Sequence, residues 1–115
     1  MSVSRSEQLY IDDIILSCER ITTYIDGLDR SAFTQDQRTI DAVCRNLMIV
    51  GEAAKRLSPA TKVQISTIEW RKIAGLRDML AHAYFGIDTE IVWNACTTNI
   101  PELTAALRKF GRNGE

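Results

Sequence analysis

One short stretch, RDMLAHAYFG at residues 77–86, concentrates side chains that could move protons or bind anions. It contains His82, the only histidine of the chain, together with Arg77, Asp78 and Tyr84. An imidazole titrates near neutral pH and suits proton transfer, whereas a guanidinium binds phosphate or carboxylate groups. These residue types raise the hypothesis of an acid–base site. The competing interpretation is the polar end of a helix, where the helix dipole favours cations.

Helical geometry limits which of these side chains act together. Asp78 and His82 are four residues apart and share a face, so the carboxylate is expected to hydrogen-bond the imidazole and fix its tautomer. Arg77 and His82 are five residues apart and point about 140° away from each other on a straight helix. The two groups can meet on one substrate only if the helix ends around His82, or if one of them comes from a second copy of the chain.

Composition narrows the class of protein. The chain has 115 residues, a formal net charge of −1 and a sequence pI near 5.8, which argues against coating of nucleic acid by bulk charge. A local basic site remains possible because 14 lysines and arginines are available. A metal site is not expected, since the chain has a single histidine and no accompanying carboxylate cluster. The three cysteines are widely spaced and are interpreted as reduced core thiols of a cytoplasmic protein: Cys18, Cys44 and Cys96.

The length fits one domain over residues 1–115 that buries its own core. The N-terminus lacks the apolar segment of a signal peptide, and no run of 18 apolar residues could span a membrane. Apolar residues recur every three or four positions, which predicts helices throughout and no strand. We expect an all-α, up-and-down bundle of four to five helices joined by short loops.

The first two helices are predicted from this period. The first should cover 6–28, and the second should begin at Thr34 or Asp36 and end near Leu57. Thr34 is a candidate N-cap because Gln37 three residues later completes a capping box. The central part of the second helix, 47–50, is apolar around most of a turn, and Gly51 follows it. Apolar residues on more than one face indicate either a central helix or contact with a second subunit. The glycine indicates close approach of another backbone.

Local signals predict the remaining helices. Ser58-Pro59 should form the N-cap and first turn of a short helix to about Ser66. The next helix should begin near Glu69 and end by Phe85-Gly86, since glycine is favoured just beyond a helix.

The last helix should begin after Asp88 as N-cap, and Pro101 in its middle should kink or split it. The final five residues, 111–115, are expected to fray.

The stretch 77–84 resembles the RX4–6H motif of the HEPN superfamily, in the RX4HXY form of HepT-like toxins, with a polar residue directly after the arginine. The flanks extend the resemblance over most of residues 36–107: RNLMIVGEAAKRLS at 45–58, WRKIAGLRDMLAHAYFGID at 70–88 and IVWNACTTNIPEL at 91–103 are similar to successive helices of that family.

The resemblance implies a HEPN-like fold and a metal-independent endoribonuclease without cofactor. It implies the toxin half of a type VII-like toxin–antitoxin module, whose antitoxin is a minimal nucleotidyltransferase of the MNT type. In some such systems the antitoxin adds AMP to the motif tyrosine, which here is Tyr84. Tyr84 could also bind substrate, by stacking on a base or by hydrogen-bonding a phosphate. Cleavage through the ribose 2′-OH would leave 2′,3′-cyclic phosphate and 5′-OH ends. His82 would be the general acid or base, Arg77 would bind the scissile phosphate, and Asp78 would orient His82.

A single histidine for two proton transfers fits a homodimer with the active site at its interface, which the resemblance also implies. Glu52, in the family-like GEA stretch, is interpreted as a helix-surface or capping residue, with a contribution to the site as the less favoured alternative. Candidates for a basic rim around the RNA are Arg45, Lys55, Arg56, Arg71 and Lys72, although such residues are more often plain solvated surface. The alternative function is a non-catalytic HEPN module that binds a nucleotidyltransferase partner or a nucleotide.

Overall fold

The computed structural model describes residues 3–83 and 86–113, and helices without any strand make up this part of the chain. The predicted all-α class is therefore confirmed. The helices are α1 (Arg5–Ile25), α2 (Arg30–Thr34), α3 (Gln37–Lys55), α4 (Pro59–Gln64), α5 (Trp70–Ala81), α6 (Thr89–Asn94) and α7 (Ile100–Asn113), with a π-helical segment at Ala95–Asn99. None of the helices in the described part combines the length and the apolar character needed to cross a lipid bilayer.

The start of α3 decides between the two predicted N-caps. Asp36 is the N-cap, and its carboxylate accepts from the Thr39 N–H at 3.1 Å and from the Thr39 hydroxyl at 2.7 Å. These two bonds lower the pKa of Asp36. The capping box predicted at Thr34 is wrong, because Thr34 closes the short helix α2, which itself begins after Asp29 as N-cap. Asp29 and Asp36 each cap a helix, so the connection between α1 and α3 holds a helical turn of its own.

Helix α4 forms as predicted, with Ser58 as N-cap and Pro59 in its first turn. A long-range contact fixes it to the start of α1. The Glu7 carboxylate accepts from the Ser58 N–H and, at 3.2 Å, from the Thr61 hydroxyl. The Ser58 N–H bond is the main reason that the pKa of Glu7 is lowered. The indole Nε1 of Trp70 then donates to the carbonyl oxygens of Lys62 and Ile65, which ties the beginning of α5 to α4.

The last helix is continuous rather than split at Pro101. Its N-cap is Asp88, as predicted. Between α6 and α7 the five-residue π-helical segment keeps helical dihedral angles at both borders, and Ile100 N–H donates to the Ala95 carbonyl five residues back. Proline lacks an N–H and crowds the carbonyl four residues before it, and this wider turn directly ahead of Pro101 accommodates both effects. The tail expected to fray from 111 is helical as far as Asn113.

The core lies where α1, α3, α5 and α7 face one another, with α3 packed on both α1 and α5. The three cysteines are free thiols within it, as predicted, and burial raises the pKa of Cys18 and Cys44 to about 11 and that of Cys96 to about 12. The apolar stretch 47–50 is buried only in part. Leu47 and Val50 lie in the core, whereas Met48 and Ile49 are only partly covered.

Gly51 lies where α3 and α5 approach each other closely. A Cβ atom at this position would lie 2.3 Å from Cβ and 2.8 Å from Cγ of Arg77. The backbone approach that the sequence predicts at Gly51 is therefore explained by α5 of the same chain. This glycine gives no support to a second subunit.

Replacing Gly51 by alanine should destabilise the fold by about 1–3 kcal/mol, because the added methyl overlaps the side chain of Arg77. Gly75 is the matched control, since it also lies inside a helix but a methyl group added there would meet no neighbouring atom within 4 Å. Gly75→Ala should stabilise by up to about 1 kcal/mol through helix propensity alone. Urea unfolding followed by circular dichroism measures both, and equal effects of the two substitutions would contradict the close contact.

Candidate active site

The RDMLAH stretch forms the C-terminal half of α5, but the helix ends earlier than predicted. Ala81 is its last residue and His82 is the C-cap, with φ −112° and ψ 20°. The expected end at Phe85-Gly86 is therefore wrong in its described part: Gly86 has φ +119° but lies outside the helix, and Phe85 falls outside the described residues. One of the two conditions under which Arg77 and His82 can meet is thus fulfilled, because the helix ends at His82.

The main chain of Asp78 holds His82 in place. The carbonyl oxygen of Asp78 accepts the His82 N–H at 3.2 Å and lies 2.8 Å from Nδ1 of the ring. The bond predicted between the ring and the Asp78 carboxylate is replaced by this main-chain contact. The backbone N–H and the ring Nδ1 of His82 both contact the same carbonyl oxygen. The end of the helix and the orientation of the imidazole are therefore coupled.

This contact also decides which ring nitrogen of His82 carries the proton. A carbonyl oxygen only accepts, so Nδ1 must carry the proton in their hydrogen bond. In that neutral tautomer, Nε2 is the ring nitrogen that carries no proton and can accept a hydrogen bond. His82 is exposed at the surface, so a solvent-borne substrate can reach the ring.

Arg77 is oriented from the neighbouring helix. Its Nε donates to Oε1 of Glu52 on α3, in an ion pair that is only partly exposed, with 25% of the Arg77 side chain accessible. This bond is the main reason that the pKa of Arg77 is raised. Glu52 follows Gly51 in sequence, so the glycine that lets the helices approach also brings the carboxylate within reach of the guanidinium. The sequence alone gives Glu52 too small a role, because this pairing spans 25 residues.

The Asp78 carboxylate contacts two cations. Its Oδ1 lies 3.3 Å from Nη1 of Arg77 and 3.7 Å from Nζ of Lys55, the last residue of α3. Four side chains of alternating charge thus connect α3 to α5: Glu52, Arg77, Asp78 and Lys55. We call them the charge quartet. Its formal charges cancel, so this part of the site carries no net positive charge.

The other sequence-predicted residues are placed less centrally. Lys72 pairs with Glu69 at 3.8 Å, at the start of α5. Arg45, Arg56 and Arg71 are exposed side chains of α3, its C-cap and α5. Tyr84, predicted to bind substrate or to be modified, lies outside the described residues, so its role stays a prediction. Within residues 3–83 and 86–113, no three histidine, cysteine or acidic side chains cluster in a way that could hold a metal ion.

Comparison with known proteins finds one matching family, whose model spans the stretch that contains these residues. Residues 14–110 match the model of the HepT-like family, described as "Ribonuclease HepT-like". The chain is 36% identical over 108 residues to the "Probable ribonuclease HepT" of Thermococcus cleftensis, covering 94% of this chain and 98% of that protein. It is 34% identical over 101 residues to a "Putative RNase" of Caldanaerobacter subterraneus subsp. tengcongensis, covering 88% and 90%. No solved structure matches the chain significantly.

The Glu52–Arg77 pair should be visible in solution as a slowly exchanging Nε–H signal of Arg77 in ¹⁵N NMR spectra. Glu52→Gln should speed that exchange, because a neutral amide oxygen is a weaker acceptor than a carboxylate. Glu90→Gln is the matched control, since Glu90 pairs with Arg30 at 3.0 Å on the surface between α2 and α6. An Arg77 signal that responds equally to both substitutions would show that Glu52 does not hold the guanidinium.

Proposed function

The chain belongs to the HepT-like ribonuclease family, and we propose that it cleaves RNA as the toxin of a type VII-like toxin–antitoxin module. The observation that carries the proposal is the end of α5. There an exposed imidazole, oriented through its Nδ1, follows an arginine that a carboxylate from α3 holds in place. An imidazole that can give or take a proton and a fixed cation are the parts that phosphodiester cleavage requires.

We propose a reaction that needs no metal ion, with the ribose 2′-OH as nucleophile. The 2′-oxygen forms a bond to phosphorus as a general base removes its proton. The bond from phosphorus to the 5′-oxygen breaks, and a general acid gives that oxygen a proton. The products are a 2′,3′-cyclic phosphate and a 5′-OH end. Nε2 of His82 is the proposed acid–base atom, and such transfer contributes typically about 10²–10⁴-fold to the rate.

Arg77 is proposed to stabilise the negative charge that grows on the phosphate oxygens. Its Nε is occupied by Glu52 and its Nη1 faces Asp78. The phosphate would meet the guanidinium through its remaining N–H groups or by replacing Asp78. Asp78 would act on the reaction through its main chain, because its carbonyl oxygen orients the imidazole.

A homodimer with the active site at its interface would supply the second proton-transfer group. The chain has only one histidine, so the His82 side chains of two copies could serve as base and acid in one cleft. A surface that supports this arrangement is the shallow groove between α1 and α3, where Tyr10, Met48 and Ile49 are only partly covered. Glu52 borders the same groove and binds Arg77, so a copy seated there would lie beside the site.

Purified protein should cleave single-stranded RNA in the presence of EDTA and leave cyclic-phosphate ends, detected by mass spectrometry of the fragments. His82→Ala should lower the rate by about 10²–10⁴-fold, since it removes the proton-transfer group. An unchanged helical circular dichroism spectrum is the control for folding.

Intact RNA at high concentration of unmodified wild-type protein would contradict the nuclease and favour the non-catalytic HEPN module that binds a nucleotidyltransferase or a nucleotide. Sedimentation of the same sample tests the dimer. The expected mass is twice 13.0 kDa, and a monomer that cleaves RNA would contradict the shared site.

The proposed antitoxin is an MNT-type minimal nucleotidyltransferase that acts with this protein in the cytoplasm. After co-expression with the nucleotidyltransferase encoded by the adjacent gene, the protein should gain the mass of one or more AMP groups at Tyr84. Tyr84→Phe should abolish that gain because it removes the only atom to which the nucleotide is proposed to attach. A mass gain that persists in Tyr84→Phe would place the modification elsewhere, and no gain in either protein would contradict this mode of inhibition.

A further inference from the structure

The charge quartet contains a second cation that faces the same oxygen atom as Arg77. Oδ1 of Asp78 lies 3.3 Å from Nη1 of Arg77 and 3.7 Å from Nζ of Lys55. We propose that Lys55 is a phosphate-binding residue of the site, and that an RNA phosphate oxygen replaces the Asp78 carboxylate between Lys55 and Arg77. This inference rests on the proposed function, since it takes RNA as the substrate.

The geometry of the two cations fits a phosphate group. A guanidinium and an ammonium that both lie within 4 Å of one carboxylate oxygen can bind one phosphate oxygen at the same position, because both acceptors are anionic oxygens of similar size. The carboxylate therefore marks where the anion would sit. Lys55 is suited to this role since its flexible stem lets the ammonium follow the phosphate as a point charge.

The two acidic residues of the charge quartet differ in what holds them. Glu52 is 47% accessible and forms a short contact with Nε of Arg77, whereas Asp78 lies farther from the same guanidinium, 3.3 Å from Nη1. Asp78 is 57% accessible and Lys55 is 45% accessible, so their contact is an exposed ion pair of small stability that a competing anion can replace. When a phosphate displaces the Asp78 carboxylate, Glu52 stays bound to Arg77, and Arg77 keeps its orientation.

The substitution Asp78→Asn tests the contribution of the carboxylate separately from that of the main chain of the same residue. It removes the competing negative charge but retains the carbonyl oxygen that orients His82. The proposal therefore predicts opposite effects on RNA binding from two neighbouring side chains. Loss of Lys55 weakens binding, and loss of the Asp78 charge strengthens it.

Binding is measured by fluorescence anisotropy with a 2′-O-methyl RNA oligonucleotide, which lacks the nucleophile and stays intact. Lys55→Ala should weaken binding several-fold and reduce the slope of log K against log salt by about 0.7, the loss of one contact to a single strand. Lys72→Ala is the matched control, because Lys72 also forms an exposed ion pair, 3.8 Å from Glu69. Equal losses from the two substitutions would overturn the proposal in favour of bulk charge. If Lys55→Ala fails to fold, Lys55→Gln takes its place.

The double variant Lys55→Ala/Asp78→Asn distinguishes contact from neutralisation. If Lys55 touches the phosphate, its removal still weakens binding when Asp78 is already neutral. If Lys55 only offsets the charge of Asp78, its removal has no effect in that background, and the proposal is overturned. Failure of the proposed function looks different, since wild-type protein would then neither cleave unmodified RNA nor bind the 2′-O-methyl oligonucleotide.

Discussion

The contact of Gly51 with Arg77 is the constraint from which the rest of the site follows. The Cβ and Cγ atoms of Arg77 occupy the space that any side chain at Gly51 would need. The guanidinium must therefore leave α5 along the surface of α3, and the next residue of α3, Glu52, meets it. One turn further along α3, Lys55 meets Asp78. A single missing side chain thus sets the distance between two helices and decides which charged side chains form ion pairs between them.

Features that depend on neighbouring residues could be predicted from the sequence, and those that depend on the packing of distant helices could not. The caps Ser58 and Asp88 follow from side chains that bond to the backbone within three residues, and the helical class follows from the apolar period. The sequence indicates only minor or rim roles for Glu52 and Lys55, because the identity of their partners depends on how α3 packs on α5. Gly51 is a readable signal of close approach, but the sequence does not say whether the neighbour belongs to the same chain.

The end of α5 could not be predicted from the sequence for a different reason. Ala81 and Ala83 on either side of His82 favour a helix, and the glycine that suggests a stop lies beyond the histidine, at Gly86. The helix nevertheless ends at His82, where the ring and the main chain share one carbonyl. A side chain that bonds to its own helix competes with the regular pattern, and here the competing group is also the candidate for proton transfer. Residue spacing identifies the partner of His82 as Asp78 but assigns the hydrogen bond to the wrong oxygen of that residue.

The π-helical segment at Ala95–Asn99 has a consequence for how the chain tolerates changes of length. Buried residues continue through it as one stripe, from Val92 and Cys96 to Ile100, Leu103 and Leu107. The wide turn holds one residue more than an α-helical turn, so it behaves as an insertion that the helix has absorbed. Deleting one residue there would restore a regular helix, and because the wide turn has absorbed the extra residue, the residues after it would keep the faces they have now. Leu103 and Leu107 would then stay in the core, so this fold would accept a one-residue deletion here better than one inside a regular helix, which rotates everything after it by about 100°.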